Sequence, residues 1–205
     1  MRTGAASAVA TKHIVEDCSK PIKLALLGAG VQALSHYQAL KVVTNISKVS
    51  VWSRTMERAV KCAEEIDGVA CLTVKEAVDD ADIIVTVTSS PTPILEKTWV
   101  KPGAHINAVE ACRSNWQEID PELMQCSAVY VDSRAAALKE SGDVIMSNAE
   151  VYAEIGEVIN KSKPVKRDKF TVFKSLGLGI EDAVAAKLVY DTHMANENAT
   201  GEHKS

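Results

Sequence analysis

Residues 28–33, Gly28-Ala29-Gly30-Val31-Gln32-Ala33, spell G-x-G-x-x-A. Small residues at that spacing let a chain turn tightly out of a strand and bring bare backbone amides at a helix N-terminus against an anion. That is the chemistry needed to hold the pyrophosphate of a dinucleotide. About twenty residues on, where such sites often place a carboxylate against an unphosphorylated ribose, the chain instead has Ser53, Arg54 and Thr55. A guanidinium pairs with a 2′-phosphate and no acid is there to repel one, so NADPH is the expected coenzyme in preference to NADH. The bland alternative is a tight turn of any α/β domain with a solvent-facing arginine nearby.

Other candidates sit where strands are expected to end. Thr86, Val87, Thr88 and Ser89 close one apolar run and Asn107 and Val109 the next, positions at the sheet edge where open α/β folds take ligands. Glu140 falls in the expected turn after a later strand. The five histidines lack metal-ligand spacing and no metal site is expected; Ser35-His36 reads as a satisfied helix pair and Cys112 as a small apolar residue.

The elements that must carry these residues follow from apolar periodicity. A helix is predicted over 3–15, with Ala5, Ala6, Val9, Ala10 and His13 at helical spacing. Strands are predicted over 22–27, 49–52, 70–72, 83–87, 105–109, 129–131 and 170–173. Helices are predicted between them over 31–43, 56–66, with Ala59, Val60, Ala63 and Ile66 as its apolar face, 74–78 and 121–126, the last capped by Asp120 before Pro121. A further helix is expected over 148–160, burying Val151, Tyr152, Ile155 and Val158, and a final one carrying Ala183, Val184 and Leu188 before a polar tail from about Asn196. Near-continuous apolar strands alternating with helices predict a Rossmann-type doubly wound parallel sheet.

Composition agrees with one sizeable globular core: 205 residues, 46% hydrophobic and 24% charged. A net charge of -4 without a basic block argues against nucleic acid as a partner. The apolar runs are too short to span a membrane and no signal-peptide core opens the chain, so a cytoplasmic location is expected, in keeping with five unpaired cysteines.

Several longer motifs are shared with a known family: Arg2-Thr3 with Ala-Thr-Lys at 10–12, Leu-Gly-Ala-Gly-Val-Gln-Ala at 27–33, Trp-Ser-Arg-Thr at 52–55, Lys-Pro-Gly-Ala-His-Ile-Asn-Ala-Val at 101–109 and Thr-Val-Phe-Lys-Ser-Leu-Gly at 171–177. The chain resembles the ornithine cyclodeaminase and mu-crystallin family. The resemblance implies a cytosolic homodimer that reduces cyclic ketimines with NADPH and binds thyroid hormone. By position it places Ala29, Val31 and Gln32 at the pyrophosphate, and Ser53, Arg54 and Thr55 at the 2′-phosphate. Val109, Ser175 and Leu176 fall at the nicotinamide, Arg2 matches an active-site arginine, and Glu140 matches a substrate or hormone-pocket residue.

Set against the family pattern, an N-terminal segment carrying much of the substrate domain and an active-site lysine is expected to be missing. The expected division is a helix from a truncated substrate domain over 1–20, an NADP-binding domain over 21–175, and a helix and tail returning to the substrate domain over 176–205. Glu110 stands at a family glycine, where its carboxylate either crowds the nicotinamide or adds negative charge beside it, or points harmlessly into solvent, and Cys112 replaces the aspartate that cyclodeamination uses. Reduction is therefore expected over deamination. The alternatives are a non-catalytic protein that binds NADPH and thyroid hormone, and an inactive truncated isoform.

Overall fold

The structure, a computed structural model, describes the backbone of residues 2–201 and the side chains of residues 2–196. Eight strands form one sheet: β1 (Ile22–Leu27), β2 (Ile46–Trp52), β3 (Val69–Ala70), β4 (Ile83–Thr86), β5 (His105–Ala108), β6 (Ala128–Val131), β7 (Val151–Glu154) and β8 (Thr171–Lys174). Their order is β3-β2-β1-β4-β5-β8-β6-β7 and every pair is parallel. Parallel neighbours need crossovers, and helices supply most of them: α1 (Arg2–Ile14) precedes the sheet, then α2 (Val31–Val43), α3 (Met56–Glu65), α4 (Val74–Val78), α5 (Pro121–Cys126), α6 (Arg134–Glu140), α7 (Gly142–Ser147) and α8 (Ile155–Ile159).

Successive strand residues point to opposite faces, so one strand feeds two cores. Leu24 and Leu26 of β1 join Ala33 and Leu40 of α2 and Ala59 and Cys62 of α3 on one face. Ala25 and Leu27 join Val78 of α4, Leu123 of α5 and Val144 of α7 on the other. β4, β5, β6 and β8 are buried along their whole length; β4 and β6 are almost wholly apolar, while β5 and β8 also bury His105, Asn107, Thr171 and Lys174.

Four expectations are corrected. Residues 148–160 are not one helix: Val151–Glu154 form β7, paired with β6, and only Ile155–Ile159 are helical. The burial of Val151 and Ala153 alternates with the part-exposed Tyr152 and Glu154, a period of two that the apolar spacing also allowed. Helix α1 buries Gly4, Ser7, Ala8, Ala10, Thr11 and Ile14 and turns Ala5, Val9 and His13 outward. Its inner face is small and hydroxylic because its polar groups find partners: Ser7 Oγ meets His36 Nε2 at 3.0 Å, and Thr11 Oγ1 accepts from Asn107 Nδ2 at 3.0 Å. In α3 the apolar face takes Cys62 in place of Val60, which is 37% exposed. Glu140 closes α6 as its last residue and does not lie in a turn.

Residues Thr3–Leu176 form one compact unit, and Gly177 onward, with Arg2, a second. The second unit consists chiefly of α9 (Gly179–Gly201), in which Ile180, Val184, Leu188, Val189 and Tyr190 are exposed. The tail expected from about Asn196 is helical through Gly201, and 202–205 lie outside the described residues. Among the described residues no helix is long and apolar enough to cross a membrane.

Candidate functional site

β1 has β2 on one side and β4 on the other, so the chain leaves the sheet in opposite directions after β1 and β4 and opens a crevice at their carboxyl ends. Gly28 makes the turn there. Its φ is +122°, and a Cβ would stand 2.5 Å from the Val87 carbonyl oxygen, so this position accepts glycine alone without strain. Gly30 has the opposite character: nothing lies within 4 Å of where its Cβ would be. It is the N-cap of α2, with no side-chain cap and no acidic residue in the following turn. First-turn amides lack intrahelical acceptors, so α2 presents donors to an open space that a side chain would fill.

That space is a cavity of about 320 Å³. Gly28, Ala29 and Gly30 form one wall, Ser53, Arg54 and Thr55 a second, and Val87, Thr88 and Ser89 a third. Trp52, Arg58, Ser90 and Ile94 complete it. No carboxylate lines it. Arg54 and Arg58 are exposed, one before and one inside the first turn of α3, and four residues apart they project toward the same cleft. Arg58 was not singled out from the sequence; a second arginine at i+4 across the helix start is the signal that points to it.

The remaining predicted residues are placed differently. Val31 is 83% exposed at the start of α2, and Gln32 holds a buried Oε1 without a hydrogen-bond partner. Thr86 is buried, its hydroxyl donating to Glu118 Oε2 at 3.3 Å, and does not line the cavity. Val109 continues β5, its amide donating to the Thr86 carbonyl. Ser175 and Leu176 are fixed over β6 by Asp132, whose Oδ2 accepts from the Leu176 amide at 2.6 Å and the Ser175 hydroxyl at 3.4 Å. Glu140 is exposed at the end of α6. Arg2 belongs to the second unit, where its guanidinium pairs with Asp182.

Behind the cleft lies a buried polar network that the sequence did not reveal. The wholly buried Glu118 accepts the Thr88 amide at 2.7 Å and the Thr88 hydroxyl at 2.5 Å on Oε1. Burial pushes this carboxyl up to about 7, with the Thr88 hydroxyl opposing and Asp143 reinforcing the rise. Asp143, in the first turn of α7, accepts the amides of Glu118 and Ile119 on Oδ1, and its Oδ2 pairs with the buried Lys174 ammonium at 3.2 Å. Lys174 also donates to the Glu110 carbonyl, pinning the loop in which Ala111 takes a left-handed φ of +56°. The Cys112 thiol donates to the Val109 carbonyl at 3.3 Å, and partial burial raises its pKa.

A doubly wound parallel sheet with a glycine turn and a cationic rim at its switch point is an architecture of the Rossmann-like α/β class. The ornithine cyclodeaminase/mu-crystallin family model matches residues 1–197, and the chain belongs to that family. It is 55% identical over 193 residues to the ketimine reductase mu-crystallin of Macropus fuliginosus, a match covering 93% of this chain and 61% of that protein. The Δ1-pyrroline-2-carboxylate reductase of Thermococcus litoralis, solved with NADH and L-proline, superposes with a TM-score of 0.87 at 33% identity, covering 96% of this chain and 65% of that one. An archaeal alanine dehydrogenase dimer with bound NAD gives 0.86 at 30% identity, covering 95% and 64%. The chain spans about 61% of the length of the curated mu-crystallin relatives it matches.

Proposed function

We propose that this chain binds NADPH and serves the reduction of cyclic ketimine carboxylates. The observation that supports this most is the joining, in one cleft, of an open glycine cradle at Gly30 with two guanidiniums and no carboxylate. The solved neighbours hold NADH and NAD. In this chain Arg54 and Arg58 provide charge for a further phosphate, and Ser53 and Thr55 provide hydroxyls beside it. Gly28, Ala29, Gly30 and the first-turn amides of Val31 and Gln32 hold the pyrophosphate, and the wall formed by Val87 and Thr88 borders the rest of the coenzyme.

When bound, NADPH supplies the hydride that, with one proton at nitrogen, turns a C=N bond into a secondary amine. The chain's own task is positioning. Val109, Ser175 and Leu176 mark the nicotinamide side, and Asp132 fixes the last two through the hydrogen bonds above. Arg2 is assigned to the substrate carboxylate, a planar anion that matches its present partner Asp182 in chemistry. Glu140 is assigned to the substrate or hormone pocket, and thyroid hormone binding and homodimer formation are part of the same proposal.

Calorimetry with NADPH and NADH, followed by NADPH absorbance after adding a cyclic ketimine carboxylate, tests it. NADPH is expected to bind more tightly than NADH. Arg54→Gln and Arg58→Gln are each expected to weaken NADPH by roughly tenfold or more while leaving NADH nearly unchanged, as for loss of a charge-assisted hydrogen bond. Equal affinities for the two coenzymes refute the phosphate assignment. Coenzyme and hormone binding without turnover makes the chain a binding protein.

A further inference from the structure

The Glu118 carboxylate bonds to one residue of the cleft lining, Thr88, and through it is one residue removed from whatever occupies that cleft; its backbone carbonyl accepts the amide of a second, Ile94. Its carboxylate takes three hydrogen bonds, from the Thr88 amide, the Thr88 hydroxyl and the Thr86 hydroxyl. All three donors are neutral. The titratable groups acting on it come from three directions: Asp143 from α7, Lys174 from β8, and the Cys112 thiol from the loop after β5. Lys174 is already matched to Asp143 at 3.2 Å, so Glu118 sits in the interior as an acid without a counterion of its own.

The geometry at Thr88 makes this acid a two-way switch for one hydroxyl. While Glu118 is ionised it accepts the Thr88 O–H, which points the hydroxyl hydrogen into the protein and away from the cleft. Once Glu118 carries a proton it donates to Thr88 Oγ1, and the Thr88 hydrogen is released to donate into the cleft, while the Thr88 amide still finds an acceptor on Oε1. An anionic coenzyme favours the second arrangement twice, by repelling the buried carboxylate and by accepting the freed hydroxyl.

We propose that Glu118 is a positioning residue that takes up a proton when the coenzyme binds, turning the Thr88 hydroxyl toward it. This rests on the coenzyme assignment made above. The carboxyl is poised for the exchange, since burial already holds it near neutrality.

Calorimetric titration of the chain with NADPH at pH 7, in buffers of small and large ionisation heat, counts the protons exchanged. Wild type is expected to take up roughly 0.3 proton more than Glu118→Gln, the fraction gained when a half-protonated acid is pushed further toward its neutral form. The coenzyme's own 2′-phosphate titrates in the same range and contributes equally to both proteins, so the difference isolates Glu118. Equal proton counts overturn the inference while leaving the coenzyme assignment standing; failure of wild type to bind either coenzyme overturns both. A second readout needs only wild type: the infrared band of a protonated buried carboxyl is expected to grow on adding NADPH, and an unchanged band overturns the inference even if Glu118→Gln does not fold.

Discussion

Gly28 and Gly30 stand two residues apart and are needed for different reasons. At Gly28 a methyl group meets the Val87 carbonyl at 2.5 Å in a backbone region closed to side chains, so Gly28→Ala is expected to destabilise the fold by about 1–3 kcal/mol. At Gly30 a methyl group meets nothing, so Gly30→Ala is expected to melt with wild type and to lose coenzyme affinity by on the order of tenfold, about 1.4 kcal/mol. Thermal melts and coenzyme titrations of the two variants separate the roles; a Gly30→Ala protein with unchanged affinity would remove the cradle from the site. The motif was legible because both demands fall on residue types that local spacing displays. Glu118 was not: a glutamate between Gln117 and Ile119 reads as a solvated loop residue, and only the sheet brings it to Thr88, thirty positions away.

At the scale of elements, α7 ties the site to the core. Asp143 in its first turn receives two amides of the 110–119 loop and neutralises Lys174 at the end of β8, and all of these groups are buried. Removing one charge of such a pair leaves the other uncompensated. Asp143→Asn is expected to cost about 3–5 kcal/mol, and Asp143→Asn with Lys174→Met distinctly less, as read from urea midpoints. A double variant as unstable as the single one would show that the lost hydrogen bonds, and not the stranded ammonium, set the cost.

Elements themselves were legible in proportion to how strongly their periodicity was forced. The buried strands β4, β5, β6 and β8 leave no choice, and their predicted spans differ from the observed ones by a residue or so. β7 and α8 share one apolar stretch whose spacing suits either period, and α6 and α7 are seven and six residues long, too short for a repeating face. Their caps, Ser133 and Ser141, each accepting an amide three residues on, were the readable signals.

Across the whole molecule two buried titrations oppose each other. Burial pushes the wholly enclosed His105, bonded to Thr171 Oγ1, down to about 4 from 6.5. Its contribution to stability is complete above 6.5 and is lost as pH falls toward 4. Glu118 is raised to about 7 from 4.5, so its contribution is complete below 4.5 and is lost as pH rises toward 7. Between 4.5 and 6.5 the two nearly cancel, and the wild-type urea midpoint is expected to stay flat. Glu118→Gln exposes the histidine and is expected to lose about 2 kcal/mol as pH falls through that window, while His105→Gln is expected to gain a similar amount. Parallel slopes in the two variants would contradict the pairing.

β8 is the last of the described strands in chain order, yet it lies inside the sheet, between β5 and β6. During translation both of those neighbours emerge with an unmatched backbone edge and must wait several seconds, at ~5–20 residues per second, for residues 171–174 to leave the ribosome. The nascent polypeptide therefore passes through an interval with two incomplete half-sheets and sticky margins, in which chaperone shielding matters most and a pause in elongation is most dangerous.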